Sequence, residues 1–387
     1  MTDRLYFDWN ATAPLRPQAR AAALAALEIA GNPSSVHAEG RAARRLVEEA
    51  RERVAALVGA EPRNVVFTSG GTEANMLALA PASGADGKVR DRLLVSAIEH
   101  PSVLAGGRFA PAAVERLPVT ADGQLDLAAL ERRLALFGGR ALVSLMLANN
   151  ETGVVQPVSE AARLTHEAGG LLHVDAVQGP GRIPCDINAL GADLLTVSGH
   201  KIGAPKGVGA LIRRDAEMPF PEPLIKGGGQ ERGVRAGTEN VAGIAGFGAA
   251  AAAARAGLAA ESAHTAGLRE RLETALKAAT PEVVIFGAGV ERLPNTTLFA
   301  VPGMKAETAV IAFDLDGVAV SSGAACSSGK VQPSHVLAAM GVPPQLARAA
   351  VRASIGPTTT EPDVERFIQA WIRVSAALLK RSEGIAA

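Results

Sequence analysis

The stretch Ser198-Gly199-His200-Lys201 decides the fold and the site, because an apolar strand pattern runs directly into a lysine. The preceding residues, Leu194-Leu195-Thr196-Val197, favour a strand that is buried on both faces. A lysine at the carboxyl end of such a strand lies where open α/β sheets bind their ligands. The same local sequence is also compatible with a solvent-exposed lysine in a loop, so other motifs are needed to distinguish the two interpretations. A lysine with a lowered pKa can form a Schiff base with an aldehyde, which makes Lys201 a candidate catalytic residue.

A second apolar run, Leu171-Leu172-His173-Val174, ends in a carboxylate at Asp175. Pyridoxal phosphate (PLP) needs such an acid, which keeps its pyridine nitrogen protonated so that the ring accepts electrons. Gln178 follows and could donate a hydrogen bond to the phenolic oxygen of the ring. Capping of the next helix by Asp175 is the alternative. One strand ending in Asp and another ending in Lys together favour a PLP site.

A third motif suits a phosphate group. Residues 64–68 form a strand pattern, and Ser69-Gly70-Gly71-Thr72-Glu73 then leads into an amphipathic run. Glycines let backbone N–H groups approach an anion, and a helix amino terminus favours negative charge. The motif matches neither a Walker loop nor a dinucleotide-binding glycine pattern. An ordinary turn remains possible for these letters alone, but beside Asp175 and Lys201 they predict that Gly71 and Thr72 bind the cofactor phosphate.

Further motifs extend this pattern over nearly the whole chain. They are Tyr6-Phe7-Asp8-Trp9-Asn10-Ala11-Thr12, Gly31-Asn32-Pro33-Ser34-Ser35-Val36-His37, Glu99-His100, Ala148-Asn149-Asn150-Glu151-Thr152-Gly153, Gly227-Gly228-Gly229-Gln230-Glu231-Arg232-Gly233-Val234-Arg235-Ala236-Gly237-Thr238-Glu239-Asn240 and Ser321-Ser322-Gly323-Ala324-Ala325-Cys326-Ser327-Ser328-Gly329. In this order, with the three motifs above, they resemble the cysteine desulfurases of the NifS/IscS type. That group lies within the fold-type I, class-V aminotransferase family of PLP enzymes.

The alternation of strand and helix patterns predicts an α/β fold with a mainly parallel sheet. The resemblance implies a large PLP-binding domain, with a seven-stranded-type sheet between helices, and a smaller α+β domain. We place the large domain at 15–255 and the small domain at 1–14 and 256–387. Strands are expected near 93–96, 141–147, 209–213, 283–286 and 297–301. Helices are expected at 41–58, 158–168, 241–256, beyond 261 and at 362–379.

Composition is ordinary for a globular enzyme. The 387 residues are 48% hydrophobic and 20% charged, with 39 basic and 39 acidic side chains, so no nucleic-acid surface is expected. The apolar run at 241–254 is too short to span a bilayer, and the first residues carry no signal-peptide pattern. Two distant cysteines form neither a disulfide framework nor a metal site. We therefore expect a cytoplasmic enzyme without membrane, nucleic-acid or metal partners.

The resemblance also implies roles for residues whose local sequence permits more than one interpretation. His100 would stack on the cofactor ring and move protons on the substrate thiol, although a lone histidine here is more often a polar loop residue. Ser198 and His200 would bind the phosphate. Asn150 and Arg352 would bind the substrate carboxylate. A turn at Asn150 and a surface arginine on a short strand are the alternatives.

Two residues of the glycine-rich motif imply a second subunit. Arg235 and Thr238 resemble residues that the family extends across a dimer interface to the partner subunit's cofactor phosphate. The resemblance therefore implies a C2 homodimer whose sites are completed by both chains.

Cys326 selects the reaction. It lies in a run of Ser, Gly and Ala that has almost nothing to pack, so we expect an exposed thiol on a mobile loop at about 321–333. That long loop resembles the IscS-like group rather than the SufS-like group. Cys185 has apolar neighbours and is expected to be inert.

Together these features predict a PLP-dependent cysteine desulfurase. L-Cysteine would replace Lys201 on PLP, Lys201 would remove the α-proton, and the Cys326 thiolate would take the sulfur as a persulfide and release alanine. An iron–sulfur scaffold, a nitrogenase-type assembly system or a tRNA-thiolation relay remain open as acceptors. Another fold-type I enzyme, such as a selenocysteine lyase or an aminotransferase, is the alternative, and a non-catalytic sulfur-trafficking paralogue is a third possibility.

Overall fold

The computed structural model describes residues 4–83, 86–137, 139–323 and 334–383. Its strands are β1 (Leu5–Tyr6), β2 (Val65–Thr68), β3 (Ala82–Ser83), β4 (Val89–Arg90), β5 (Arg92–Ser96), β6 (Val114–Leu117), β7 (Ala141–Met146), β8 (Leu171–Asp175), β9 (Leu194–Ser198), β10 (Gly209–Arg213), β11 (Val284–Ile285), β12 (Thr296–Ala300), β13 (Val318–Ala319), β14 (Ser321–Ser322) and β15 (Val351–Ser354). Its helices are α1 (Pro17–Leu27), α2 (Ala38–Leu57), α3 (Gly71–Ala78), α4 (Pro101–Leu104), α5 (Leu127–Phe137), α6 (Val158–Glu167), α7 (Ile187–Leu190), α8 (Val241–Ala279), α9 (Ala306–Leu315), α10 (His335–Ala339), α11 (Pro344–Ala347) and α12 (Glu361–Glu383).

The large sheet has the strand order β2-β10-β9-β8-β7-β5-β6 in the described part of the chain. Neighbouring strands from β9 to β6 are parallel, whereas β10 pairs antiparallel with both β9 and β2. This mainly parallel, seven-stranded sheet confirms the predicted α/β class. The parallel strands also end at one edge, where ligands bind in such sheets.

Strand β5 illustrates why the parallel strands of the large sheet have continuous apolar sequences. Side chains alternate between the faces of a sheet. Leu94 therefore joins the core that α2, α6 and α8 cover, while Leu93 and Val95 join a second core beneath α3 and α4. A strand buried on both faces has no polar position to alternate with, so sequence identifies it by its length and composition.

The smaller sheet has the order β11-β12-β15-β14 in the described residues and encloses a separate core. The amino-terminal segment belongs to this part of the molecule, since β1 pairs parallel with β13 and Phe7 packs in the small core. Five aromatic rings contact one another in that core: Phe7, Phe299, Phe313, Phe367 and Trp371.

Helix α8 differs from the sequence expectation. The expected break between 256 and 261 is wrong, because one continuous helix runs through it without an intervening proline. Its first half buries Phe247 and Ala251 in the large core, and its second half buries Leu268 and Leu272 in the small core. The helix has the length and apolar composition of a membrane span, but half of that window is buried in the protein. Its contacts are those of a core helix.

We predict that Phe367→Ala lowers the free energy of unfolding by about 3–5 kcal/mol, because it removes a fully buried ring from the aromatic cluster. Ile372→Ala on the same helix is the matched control, since Ile372 is 43% exposed, and should cost less than about 1 kcal/mol. Urea unfolding followed by tryptophan fluorescence measures both. Equal losses would contradict the packing described for this core.

Candidate active site

A cavity of about 280 Å³ opens at the carboxyl ends of the parallel strands. Ten residues predicted from the sequence line it: Gly71, Thr72, His100, Asn150, Asp175, Gln178, Ser198, His200, Lys201 and Arg352. They come from segments far apart in sequence. The common polarity of β5, β7, β8 and β9 brings most of them to one edge, while Gly71 and Thr72 come from the start of α3 and Arg352 from β15.

Lys201 lies in the single 3-10 turn Gly199–Lys201 that follows β9 directly. Its amino group donates hydrogen bonds to the carbonyl oxygens of Asn10, at 2.5 Å, and of Ala11, at 3.0 Å. Gly199 permits this turn, because a Cβ there would lie 2.9 Å from Val208 Cγ1 and 3.0 Å from the Cβ of Ala204. The amino-terminal segment and the turn therefore hold the lysine at the cavity wall.

Asp175 is buried at the end of β8, and two donors fix its carboxylate. The side-chain amide of Asn75 donates to Oδ2 at 2.8 Å, and the backbone N–H of Val177 donates to Oδ1 at 3.0 Å. Asn75 also donates to Ser102 Oγ, which links it to the segment that follows β5. Sequence reasoning missed Asn75, although a buried asparagine inside the helix α3 was a usable signal.

His100 caps the short helix α4 and lines the cavity. Its Nδ1 lies 2.8 Å from Ser102 Oγ and accepts from the Ser102 N–H. Burial lowers the pKa of His100, with Lys201 and His335 acting in the same direction and Asp175 opposing them. The imidazole is therefore neutral at neutral pH, and a neutral imidazole can accept a proton.

Two other histidines differ from His100 in their surroundings. His200 faces the cavity and lies 3.2 Å from Thr12 Oγ1, and burial with the nearby cations Lys201, Lys206 and Arg182 lowers its pKa to about 4. His173 lies inside the sheet between the hydroxyls of Ser144 and Thr196. Its role there is structural.

The amino terminus of α3 faces the same cavity through Gly71 and Thr72. A Cβ at Gly71 would approach Val177 Cγ2 to 2.9 Å, so this part of the wall has little spare room. Glu73, in the first turn, accepts from the Ser69 N–H and pairs with Arg235 at 2.9 Å. Exposed backbone N–H groups at this helix end make a site for an anion.

Arg352 reaches the cavity from β15 of the small sheet. Its guanidinium pairs with Asp8 at 2.6 Å and donates to the carbonyl oxygen of Asn150 at 2.9 Å. Its Nε has no hydrogen-bond partner among the described residues. Sequence reasoning named Arg352 but missed Asp8, which lies within the quoted amino-terminal motif.

Arg235 and Thr238 do not line this cavity within the single chain. They border a separate cavity of about 250 Å³ beside residues 67–69. Their predicted role at a partner subunit's site is untested by the single chain.

Cys326 lies outside the described residues, but the segments on either side of it end beside the cavity. Ser321 pairs in register with Arg352, and Ser334 donates to Glu151 Oε2 at 2.5 Å. His335 Nε2 lies 2.9 Å from the carbonyl oxygen of Glu99, next to His100. Cys185 is buried, and burial raises the pKa of its thiol strongly.

The residues present fit PLP. A strand-end lysine, a buried and oriented carboxylate and a helix amino terminus share one cavity, which is the set of groups that the cofactor requires. In addition, the cavity-lining Asn75 has a buried Oδ1 without a hydrogen-bond partner in the described part of the chain.

Comparisons with known proteins agree with this geometry. The model of the aminotransferase class-V family matches residues 5–367. A cysteine desulfurase from Cereibacter sphaeroides is 45% identical over 373 residues, which cover 95% of this chain and 94% of that protein. Cysteine desulfurase IscS from Dictyoglomus turgidum is 39% identical over 379 residues, covering 97% and 95%. Among solved structures, a NifS-like protein from Rickettsia africae superposes with a TM-score of 0.88 at 39% identity, covering 96% of this chain and 99% of that one.

The match over most of the chain defines a class-V aminotransferase fold. The chain therefore belongs to the class-V aminotransferase family and, within it, to the cysteine desulfurases, which are PLP-dependent enzymes. This confirms the family and the enzyme class predicted from the motifs.

Two buried carboxyl groups beside the site were not predicted. Glu99 accepts from the Met146 N–H, and burial, reinforced by Asp175, raises its pKa well above the usual value. Burial raises the pKa of Glu151 to about 7, although Ser334 and Arg352 oppose the shift.

The raised pKa of Glu151 predicts a pH-dependent stability difference. Its folded-state pKa exceeds the ordinary 4.5, so the folded protein is penalised as the pH rises from about 4.5 to about 7. Glu151→Gln keeps an acceptor for Ser334 and removes the penalty. We expect the variant to be more stable than wild type at pH 8 by about 1–3 kcal/mol.

The difference should shrink towards zero when the same urea titrations are run near pH 4.5. A difference that stays constant between the two conditions would show that Glu151 does not titrate in this range in the folded protein.

Proposed function

We propose that this chain removes sulfur from L-cysteine, releases L-alanine and retains the sulfur as a persulfide on Cys326. The observation that carries the proposal is that Lys201, directly after β9, and the oriented carboxylate of Asp175 line one cavity, in a chain that belongs to the cysteine desulfurases.

The cofactor would be held by residues that already face the cavity. Gly71, Thr72, Ser198 and His200 would bind its phosphate, and Thr238 of a second chain would add to them. Asp175 would bind the ring nitrogen, His100 the ring face and Gln178 the phenolic oxygen, while Lys201 would form the covalent link. When bound, PLP withdraws electrons from the α-carbon of the substrate.

The substrate carboxylate would bind to Arg352 and Asn150. A guanidinium carries five N–H donors, and those of Arg352 bonded to Asp8 and Asn150 leave others for a ligand. The pairing with Asp8 also offsets the charge of a buried cation before substrate arrives. Once released by substrate, the Lys201 amine would take the α-proton. In the structure this amine donates hydrogen bonds to the carbonyl oxygens of Asn10 and Ala11.

His100 would move the thiol proton, because burial keeps its imidazole neutral and able to accept one. The Cys326 thiolate would then form a bond to the substrate sulfur while the carbon–sulfur bond breaks. The carbon skeleton takes up a proton and leaves as alanine, so the net change is one thiol and one cysteine converted to one persulfide and one alanine. Ser321, Ser334 and His335 support this role, since they fix both flanks of the Cys326 segment beside the cavity.

The wider assignments follow from the same resemblance. A homodimer would bring Arg235 and Thr238 to the partner's cofactor phosphate, and an iron–sulfur scaffold or another sulfur-acceptor protein would receive the persulfide sulfur. We place the enzyme in the cytoplasm, where thiols stay reduced.

The lysine assignment is tested by borohydride reduction of the holoenzyme followed by peptide mapping. The pyridoxyl group should be found on Lys201, because among the described residues it is the only lysine that lines the cavity with Asp175. Lys201→Ala should abolish both the label and desulfuration. Lys206→Ala is the control, since this exposed neighbour lies outside the cavity lining, and it should keep both. Labelling of another lysine in wild type would refute the assignment.

The sulfur acceptor is tested by comparing the two cysteines. Cys326→Ala should bind PLP and L-cysteine but lose essentially all sulfide release. Cys185→Ala should keep near-wild-type turnover, because burial holds that thiol protonated. Mass spectrometry after brief exposure to L-cysteine without reductant should find one additional sulfur on the Cys326 peptide.

Normal turnover by Cys326→Ala, with the sulfur found on no cysteine, would favour another PLP reaction such as selenocysteine lyase or aminotransferase chemistry. Sulfur on Cys185 would reverse the roles given to the two thiols.

A further inference from the structure

Arg182 is a buried cation directly behind the cavity, and its partners are all oxygen atoms without charge. One guanidinium nitrogen donates to the backbone oxygen of Gln178 at 2.8 Å and to its Oε1 at 2.6 Å. The other lies 3.4 Å from the carbonyl oxygens of Trp9 and of Lys201. No carboxylate pairs with it within the described ranges of the chain. Burial lowers the pKa of Arg182 to about 10, so it remains charged at neutral pH.

The surroundings of Gln178 determine which way its side-chain amide points. A guanidinium can only donate hydrogen bonds, so the atom that faces Arg182 must be the amide oxygen. A backbone carbonyl can only accept, so the atom that faces the Asn10 oxygen at 3.1 Å must be the amide nitrogen. Two independent contacts therefore select one of the two amide orientations.

The amide nitrogen carries a second hydrogen, and the Gln178 side chain lines the cavity. A charged donor on the oxygen of an amide also polarises the group and strengthens its N–H as a donor. The contact with Arg182 thus acts on both the direction and the strength of the donor that Gln178 offers to a ligand.

We propose that Arg182 is a positioning residue that holds the Gln178 amide with its nitrogen towards the cofactor and strengthens that donor. The inference rests on the proposed function, in which Gln178 donates to the phenolic oxygen of PLP. Donation to that oxygen stabilises its negative charge and weakens its hold on the neighbouring proton of the bound cofactor. Arg182 should therefore lower the pKa at which the visible absorbance band of the holoenzyme changes.

The test is a spectrophotometric pH titration of the holoenzyme. Gln178→Ala should raise the pKa of the absorbance change by about one unit, the size expected for one hydrogen bond to a charged group. Arg182→Met should shift it in the same direction, because the amide then loses the cation that polarises it and is oriented by the Asn10 oxygen alone. Arg182→Gln is a milder variant, since a neutral amide fits either orientation of Gln178, and it serves if Arg182→Met does not fold. Arg182→Lys keeps a donor-only cation and should stay close to wild type.

The double variants separate positioning from a direct effect of charge. In a Gln178→Ala background, Arg182→Met or Arg182→Gln should add little further shift if Arg182 acts through Gln178. The charged and titratable groups around Arg182, namely Arg352, Cys185, His200 and Lys201, are unchanged in every variant.

A wild-type pKa in folded Arg182→Met or Arg182→Gln, or an undiminished shift in the Gln178→Ala background, would overturn the proposal. Failure of the proposed function would look different. Wild-type protein would then show no PLP band or no desulfuration, whatever residue stands at position 182.

Discussion

The buried side-chain amide of Asn10 lines the cavity of the candidate active site and connects the two main sheets. Its side chain donates to the carbonyl oxygen of Asn150 and to Thr296 Oγ1, and it accepts from Asn295. Its backbone oxygen accepts from both Lys201 and Gln178. A buried polar group is stable only when its hydrogen bonds are made, so this network restricts how the two sheets can be arranged relative to each other. The positions of Lys201, of Gln178 and, through Asn150, of Arg352 all depend on it.

Most charged groups around the cavity are stabilised by hydrogen bonds to neutral groups rather than by ion pairs. Asp175 is held by neutral donors and Arg182 by neutral acceptors, and burial, reinforced by Asp175, raises the pKa of Glu99. Arg352 is the exception, because it pairs with Asp8. Hydrogen bonds to neutral groups fix the orientation of these charged side chains. No counter-charge from the described residues is then present to compete with an ionic ligand. The cavity can therefore present a carboxylate at one side and cationic or N–H donors at the other.

The sequence was most informative where chemistry and secondary structure coincide. Lys201 and Asp175 could be assigned because each follows a long apolar strand, and parallel strands end at one edge whatever the details of packing. Asp8 and Arg182 could not, because their importance lies in contacts between segments far apart in the chain. The continuity of α8 was missed for a related reason. Its alanine-rich pattern has no strong period, and the side that it buries changes from one core to the other along its length.

The glycine-rich loop illustrates how a strained backbone is maintained. Glu231 and Arg232 both have positive φ, 45° and 58°, which is uncommon for residues other than glycine. The strain is held by a buried pair, since Glu231 and Arg51 form two hydrogen bonds of 2.7 Å and the Phe67 N–H donates to the same carboxylate. Such conformations persist only where the surroundings over-determine them. Here they turn the chain so that Arg235 lies against Glu73, in the first turn of the helix that faces the cavity. The buried pair therefore determines where the loop places Arg235 relative to the helix that faces the cavity.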